Sequence, residues 1–198
     1  LAAELARCRE LNVPWVVLHP GSAMGAPRGE ALARAARSVA EALDSSGDGP
    51  GILLENTAGQ GTGLGSNMQE LMEMLNAVQR PGRVGLCLDT CHAFAAGYGV
   101  DTAEGLDAML AGINKDLLGL VHVNDCKGAR GSRLDRHEHI GKGSIGIEGF
   151  RAIVNHPALS RLPMILETHK GKDLEEDVEN LRVLRGLVEK AQPLQSSS

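Results

Sequence analysis

Residues 84–89 read VGLCLD, a short apolar run that ends on an aspartate. Four other segments share this form, with continuous apolar residues rather than alternation, as expected for strands buried on both faces of a sheet. They are Val13–Leu18, Gly51–Leu54, Leu118–Val123 and Leu162–Leu166. The run at Val84–Leu88 is therefore one of five predicted strands.

Segments with apolar residues at helical spacing lie before, between and after these strands. The predicted helices are Ala2–Leu11, Glu30–Leu43, Asn67–Val78, Ala103–Leu110, Ile147–Val154 and Leu174–Lys190. Regular alternation of strands and helices predicts a parallel sheet with right-handed crossovers. The fold class is therefore α/β, and two architectures fit it: an open doubly wound sheet and a (β/α)8 TIM barrel.

Each predicted strand ends at a side chain of the kind that binds metals. These side chains are His19, Glu55, Asp89, His122 and Glu167. A barrel gathers the carboxyl ends of all its strands at one rim, whereas an open sheet gathers ligands mainly at a single switch point. The pattern therefore favours the TIM barrel.

A complete barrel has eight βα units in about 250 residues, and this chain supplies about five. Because the first residue is Leu1 rather than Met, we expect about three further units upstream. We interpret residues 1–198 as a single partial TIM-barrel domain, the C-terminal portion of the barrel. The polar tail at 192–198 is predicted to be frayed.

The composition is that of an ordinary globular protein, with 42% hydrophobic residues and a formal net charge of −5. The four cysteines lack C-x-x-C spacing, which favours reduced thiols in the cytoplasm, or at the nucleoid if the source is bacterial. No segment is long and apolar enough to predict a membrane partner. The acidic charge argues mildly against nucleic acid, but three divalent ions would offset it.

The three strand-end carboxylates indicate a metal centre. Any one of them alone would ordinarily be a hydrogen-bonded structural residue. Burying Glu55, Asp89 and Glu167 side by side without a cation, however, would be strongly unfavourable. Histidine nitrogen together with carboxylate oxygen suits zinc, with manganese as the alternative ion.

A second ligand set lies outside the strands. His92 follows Asp89 by three residues, on a predicted turn. Asp135 and His137 are two residues apart in a loop, so an extended backbone would point both to the same side. We predict that His92, Asp135 and His137 form a His-Asp-His site separate from the carboxylate set. Solvated loop residues are the alternative interpretation.

The glycine-rich loop around Asp135 is also basic, and four of its residues are candidate contacts to the phosphates of a polyanion: Lys127, Arg130, Arg133 and Arg136. A solvated charged loop is the usual interpretation of such a run. Beside a metal cluster the same residues would bind phosphates. A second glycine-rich segment, GQGTGLG at 59–65, lacks the lysine of a P-loop, so we expect it to shape the rim and to cap the next helix.

Five motifs resemble the endonuclease IV family of abasic-site endonucleases. They are LHPGS at 18–22, LLENTAGQGTGLG at 53–65, LCLDTCHAFAAGY at 86–98, HVNDCKGARGSRLDRHEHIGKGSIG at 122–146 and ILETHK at 165–170. The resemblance implies a zinc-dependent barrel that acts in base excision repair. Such an enzyme hydrolyses the phosphodiester 5′ to an abasic site in double-stranded DNA, leaving a 3′-hydroxyl and a 5′-deoxyribose-phosphate. It also implies a monomer at full length.

The resemblance further implies three zinc ions and assigns their ligands. Glu55 would bridge two zincs, of which the first is also held by His19. The second zinc would be completed by Asp89, His122 and Glu167, and the third would be held by His92, Asp135 and His137. Glu55 and Glu167 are the implied catalytic residues.

In that family a further histidine of the first site lies on a strand upstream of Leu1. We therefore expect the first site to bind zinc weakly in this chain, and turnover to depend on residues outside it.

Two rival functions remain open. Glu55, Asp89, His122 and Glu167 alone also resemble the single-metal quartet of sugar isomerases and epimerases, in which two glutamates would shuttle protons. His92, Asp135, His137 and the basic loop have no place in that scheme. The other rival is a non-catalytic fragment that binds metal or a partner chain, which the unpaired edge strands would favour.

Overall fold

A computed structural model describes residues 1–189 of the chain, which contain seven strands. In chain order they are β1 (Trp15–Leu18), β2 (Gly51–Glu55), β3 (Val84–Asp89), β4 (Leu118–His122), β5 (Asp125–Cys126), β6 (His137–Glu138) and β7 (Met164–Ile165). Strands β5 and β6 form a separate antiparallel pair. The other five form one parallel sheet in the order β1-β2-β3-β4-β7.

All six predicted helices are present within the described residues, together with one that was not predicted. The helices are α1 (Ala2–Glu10), α2 (Arg28–Ser45), α3 (Met68–Val78), α4 (Thr90–Ala96), α5 (Ala103–Ala111), α6 (Gly146–Asn155) and α7 (Glu175–Leu187). The predicted end of the last helix at Lys190 and the predicted frayed tail at 192–198 lie outside the described residues. None of the described helices has the length and apolar character needed to cross a membrane.

The order of the strands decides between the two predicted architectures. Each strand of the main sheet lies beside the next main-sheet strand of the chain, and all pairs are parallel. A doubly wound sheet would reverse this order at its switch point, whereas a barrel does not. The prediction of about five βα units of a TIM barrel is therefore confirmed.

The two faces of the sheet have different partners. Ile52, Leu54, Leu86 and Leu88 belong to the main hydrophobic core, which also contains the buried residues of the helices. The opposite face carries a smaller cluster of Leu53, Cys87 and Leu120, with Trp15 and Val17 packed against it. Side chains two residues apart on a strand share a face. His19, Glu55, Asp89 and His122 therefore follow this second cluster on the face turned away from the helices.

The outer strands are less buried than predicted. All four residues of β1 are only partly buried, and Ile165 of β7 is 48% exposed. Strand β7 spans two residues, where Leu162–Leu166 was predicted to be a strand buried on both faces. That prediction is wrong because both strands lie at edges of the described sheet, where one side has no neighbouring strand.

Candidate metal centre

Four ligand-type residues meet at the carboxyl ends of the parallel strands. Their ligand atoms all lie within 4.8 Å of one another, and we call Glu55, Asp89, His122 and Glu167 the strand-borne group. His122 Nδ1 lies 2.9 Å from Glu55 Oε1 and 3.0 Å from Glu167 Oε2. His19 Nε2 lies 3.0 Å from Glu55 Oε2. The five strand-end side chains therefore meet at one edge of the sheet.

The burial of the carboxylates differs from the prediction. The side chains of Glu55 and Asp89 are 5% and 0% exposed, but that of Glu167 is 41% exposed. The expectation that all three are buried is wrong for Glu167, because this residue follows the short edge strand β7. The cost of burying negative charge therefore falls mainly on two residues.

Histidine contacts control the ionisation of Glu55. Burial raises the pKa of Glu55, but hydrogen bonds from His122, His19 and His92 outweigh it and hold the pKa well below its usual range. Burial lowers the pKa of His122, but side-chain contacts, of which that with Cys87 is the largest, raise it to about 12. Among the protein groups alone, the histidines thus carry the positive charge that offsets the buried carboxylate.

His92 lies on a helix rather than on the predicted turn. Helix α4 follows β3 directly, and the Asp89 carboxylate caps it by accepting a 2.6 Å hydrogen bond from the His92 N–H. His92 Nδ1 lies 2.9 Å from the carbonyl oxygen of Asn56. Because a carbonyl oxygen only accepts, Nδ1 carries the proton and Nε2 is left as the ligand atom.

The second cluster joins His92 to two residues of the long loop, and we call His92, Asp135 and His137 the loop-borne group. Asp135 Oδ1 lies 3.2 Å from His92 Nε2 and 3.3 Å from His137 Nε2. These two distances match the edge of about 3.3 Å expected for a tetrahedron with zinc–ligand bonds of about 2.0–2.1 Å, whereas the three ligand atoms are not all within 4.8 Å of one another. His137 Nδ1 lies 3.2 Å from the Glu167 carbonyl oxygen, so its Nε2 is also left as a ligand atom.

The loop-borne group is not separate from the strand-borne group, contrary to the prediction. Asp89, His92 and His137 place ligand atoms within 4.8 Å of one another, and His92 Nδ1 lies 3.5 Å from Glu55 Oε1. The reason is that α4 begins without an intervening loop and so keeps His92 beside the strand ends. The two groups form one continuous cluster.

The loop that carries Asp135 and His137 is held at its base by the buried residue Asp125. The carboxylate of Asp125 accepts hydrogen bonds of 2.8–3.0 Å from the backbone N–H groups of Cys126, Gly141, Gly143 and Ile145. A Cβ at Gly143 would lie only 2.5 Å from Asp125 Oδ1, so this position requires glycine. One side chain thus joins the start of the loop to its end.

Three of the four predicted DNA contacts are already engaged within the protein. Lys127 Nζ lies 3.8 Å from Glu138 Oε2, and Arg130 Nη1 lies 3.5 Å from Asp101 Oδ1. Arg136 donates a 2.8 Å hydrogen bond to the carbonyl oxygen of the preceding residue. All three side chains are exposed, so these contacts compete with water.

Arg133 has different surroundings. Within residues 1–189 it forms no ion pair, and it lines a cavity of about 510 Å³ together with glycines of the 59–65 segment. That segment shapes the rim, as predicted, through a backbone bridge between Gly63 and Ser22. The expectation that it caps the next helix is wrong, because the side chain of Asn67 caps α3.

Sequence reasoning missed several buried residues around the cluster. Asn56, Asn124 and Asp125 hydrogen-bond to candidate ligands or to their loop, yet single asparagines and aspartates carry no recognisable pattern. Two cysteines that the sequence did not connect with the site also lie here: Cys87 is close to Glu55 and His122, and Cys91 is close to Asp135 and His137. Only the fold brings these residues to the site.

The donor set fits zinc or manganese. It consists of imidazole nitrogens and carboxylate oxygens, the ligands that these ions share. His137 Nε2 is buried and lies 3.3 Å from Asp135 Oδ1, but it forms no well-aligned hydrogen bond within residues 1–189. A buried ring nitrogen of this kind ordinarily has a partner, and a cation would provide one. The residues present therefore suit a cluster of divalent ions.

Comparison with known proteins agrees with this fold. Residues 1–186 match the family model described as a xylose isomerase-like TIM barrel, and the chain belongs to that family. A structure titled a D-tagatose 3-epimerase-like protein shares the fold, with a TM-score of 0.64 at 22% identity over 94% of this chain and 66% of the other.

More similar proteins narrow the assignment. A protein named probable endonuclease 4, from Chloroflexus aurantiacus, is 45% identical over 96% of this chain and 69% of its own length. The crystal structure of endonuclease IV from Thermus thermophilus has a TM-score of 0.79 and 37% identity, over 94% of this chain and 65% of that one. The chain is a member of the endonuclease IV family and spans about two thirds of these relatives' length.

Proposed function

We propose that this protein is a zinc-dependent DNA-repair endonuclease that hydrolyses the phosphodiester 5′ to abasic sites. The observation that carries the proposal is the contact between Asp135 Oδ1 and both His92 Nε2 and His137 Nε2, at 3.2 and 3.3 Å. These three residues provide a metal position in addition to the strand-borne group, which is all that a single-metal enzyme would need. Names of the similar proteins support the same activity.

In this proposal each group of residues holds part of a three-zinc cluster. Glu55 is placed to bridge, because one of its oxygens faces His19 and the other faces His122. The remaining strand-borne residues complete the second position, and the loop-borne group holds the third. Zinc, when bound, would acidify water to give a nucleophile near neutral pH and would stabilise charge on the phosphate.

The chain's own residues would supply orientation and charge. Glu55 and Glu167 are the proposed catalytic residues, because both contact His122 and face the point where the two groups meet. The open side of the cluster would then lie beside His19 and Glu167, whose side chains are 53% and 41% exposed. Products with a 3′-hydroxyl and a 5′-deoxyribose-phosphate follow from hydrolysis on the 5′ side of the abasic sugar.

Double-stranded DNA is the proposed partner, and the basic loop is its proposed binding surface. Lys127, Arg130 and Arg136 would bind phosphates after giving up their exposed contacts. Arg133 lines an open cavity together with glycines of the 59–65 segment and has no such contact to give up within residues 1–189. Arginine suits phosphate because its planar fork donates two hydrogen bonds at once.

The test is cleavage of an end-labelled duplex with one abasic site by the full-length protein. Chelation should abolish nicking, and added zinc should restore it. His137→Ala should lower the nicking rate by about a thousandfold or more, since a lost metal ion is worth several kcal/mol. The matched control is His156→Ala, because His156 contacts Asp107 on the outside of the sheet instead.

Two outcomes would contradict the proposal. Full nicking by His137→Ala would reject the three-metal assignment. One metal ion per chain, no cleavage and epimerisation of a ketose would instead identify a single-metal sugar epimerase, which uses only the strand-borne group.

A further inference from the structure

Asn124 occupies a central position between the candidate ligands. It is completely buried, two residues after His122, where the chain leaves β4. The hydroxyl of Thr90 fixes its backbone on both sides: Thr90 Oγ1 accepts a 3.0 Å bond from the Asn124 N–H and donates a 2.7 Å bond to its carbonyl. The side chain therefore leaves the backbone from a fixed point.

The hydrogen bonds of the Asn124 carboxamide define which way it faces. Its Oδ1 accepts a 2.8 Å bond from the backbone N–H of Glu167, and a backbone N–H can only donate. The Nδ2 group must then face the opposite way, where it lies 2.6 Å from Asp89 Oδ2 and 3.4 Å from Glu167 Oε2. Both of its protons are thus directed at carboxylates of the strand-borne group.

These contacts join two ligands that the sheet by itself does not join. Asp89 ends the buried strand β3, whereas Glu167 follows β7, and β4 lies between those strands. The Glu167 side chain is 41% exposed at the edge of the described sheet, whereas that of Asp89 is completely buried. The Glu167 backbone N–H and carboxylate both contact Asn124, which thus connects the exposed ligand to the buried one.

We propose that Asn124 is a positioning residue that sets the spacing of Asp89 and Glu167 for one metal ion of the cluster. The inference rests on the proposed function, because it presumes that both carboxylates bind that ion. The carboxamide suits this position better than either alternative. A carboxylate here would face the carboxylates of Asp89 and Glu167, and an apolar side chain would leave the Glu167 N–H without a hydrogen-bond acceptor. Partners of this kind typically change metal affinity by about 10–100-fold when removed.

The test compares Asn124→Leu with Asn180→Leu in the full-length protein. Leucine keeps the branched shape of asparagine but removes its donors and acceptor. Asn180 is a matched control because it is also buried and also bonded through its carboxamide, to the Ile140 N–H and to Thr168. No candidate metal ligand is among its partners within residues 1–189.

Zinc content after equilibrium dialysis and the visible spectrum of the cobalt-substituted protein are the measurements. We expect Asn124→Leu to bind one zinc about 10–100-fold more weakly and to alter the cobalt spectrum. Asn180→Leu should keep the metal affinity and spectrum of the parent, even where its melting temperature falls. Asn124→Ala, which introduces a smaller side chain, should give the same result as Asn124→Leu.

Three results would overturn the inference. The first is parental zinc affinity and cobalt spectrum in a folded Asn124 variant. The second is an equal loss of zinc in Asn180→Leu. The third is unfolding of both Asn124 variants in excess zinc while Asn180→Leu stays folded, which would make Asn124 a residue of the fold alone. Absence of metal and of nicking in the parent would instead reject the proposed function.

Discussion

The two halves of the candidate metal centre are held in different ways. Glu55, Asp89 and His122 are the last residues of parallel strands and are at most 6% exposed. Asp135 lies on a loop and His137 begins the two-residue strand β6 that follows it, and their side chains are 39% and 18% exposed. The three strand-end residues are positioned by the sheet itself, whereas Asp135 and His137 depend on hydrogen bonds made by residues outside the loop-borne group. The second half should therefore be lost more easily than the first.

Among substitutions that should affect the two groups of ligands differently, Asp125→Asn should have the largest effect. Asparagine offers one acceptor oxygen where the carboxylate offers two, so part of the set of four N–H bonds at the loop base is lost. We expect the loop-borne group to bind zinc about 10–100-fold more weakly, while the strand-borne group keeps its affinity. Zinc content after dialysis measures this.

The control for that variant is Asp48→Asn, which makes the same change at an exposed aspartate. Loss of every zinc from Asp125→Asn would show that the two halves bind metal as one unit. Retention of every zinc would show that the loop-borne group does not need the Asp125 carboxylate in order to bind zinc.

Arg133→Ala should have a smaller effect, confined to DNA affinity. Removing one phosphate contact should weaken binding to an abasic duplex about 3–10-fold. It should also reduce the slope of log K against log salt concentration by about one. Arg130→Ala is the matched control and should do less, because Arg130 already faces Asp101. Fluorescence anisotropy at several salt concentrations measures both. Equal effects for the two variants would remove Arg133 from the proposed surface.

The pH dependence of stability should be smaller still and should change sign with metal. Burial lowers the pKa of His92, but contacts with Asp135 and Glu55 raise it to about 11, and that of His122 is raised to about 12. A raised histidine pKa stabilises the fold fully below the unfolded value of about 6.5 and loses that effect as the pH rises. The chelated protein should therefore melt several degrees lower at pH 8.5 than at pH 6.5.

With zinc in excess the trend over the same range should reverse, because zinc must displace the histidine protons and does so more readily at higher pH. The carboxylates affect the stability of the fold at acidic pH instead. Close contacts with the His137 and His92 rings lower the pKa of Asp135, so its stabilising effect is lost only as the pH falls below about 4. Melting curves that decline with pH in both conditions would contradict this description of the cluster.

The strand-borne half was largely predictable from the sequence. Continuous apolar runs identify buried strands, and the residue that ends each run lies at the rim of a parallel sheet. Residues 84–89 show this directly, since the run ends on Asp89 in the structure as well. The exposure of Glu167 was not predictable, because a run of apolar letters does not reveal which strand lies at an edge.

The loop-borne half was predictable only as a set of residue types. The spacing of Asp135 and His137 indicates that they point to the same side, but it does not place them beside His92. That placement depends on helix α4, which is too short for a periodic pattern, and on Asp125, whose bonding partners lie up to 20 residues away. Contacts at this sequence distance exist only in the folded chain.

Anomalous diffraction at the zinc edge, from crystals of the full-length protein grown with zinc, tests the central claim most directly. We expect density at three positions: between His19 and Glu55, within the rest of the strand-borne group, and among His92, Asp135 and His137. A single peak within the strand-borne group, with none at the loop-borne group, would contradict it.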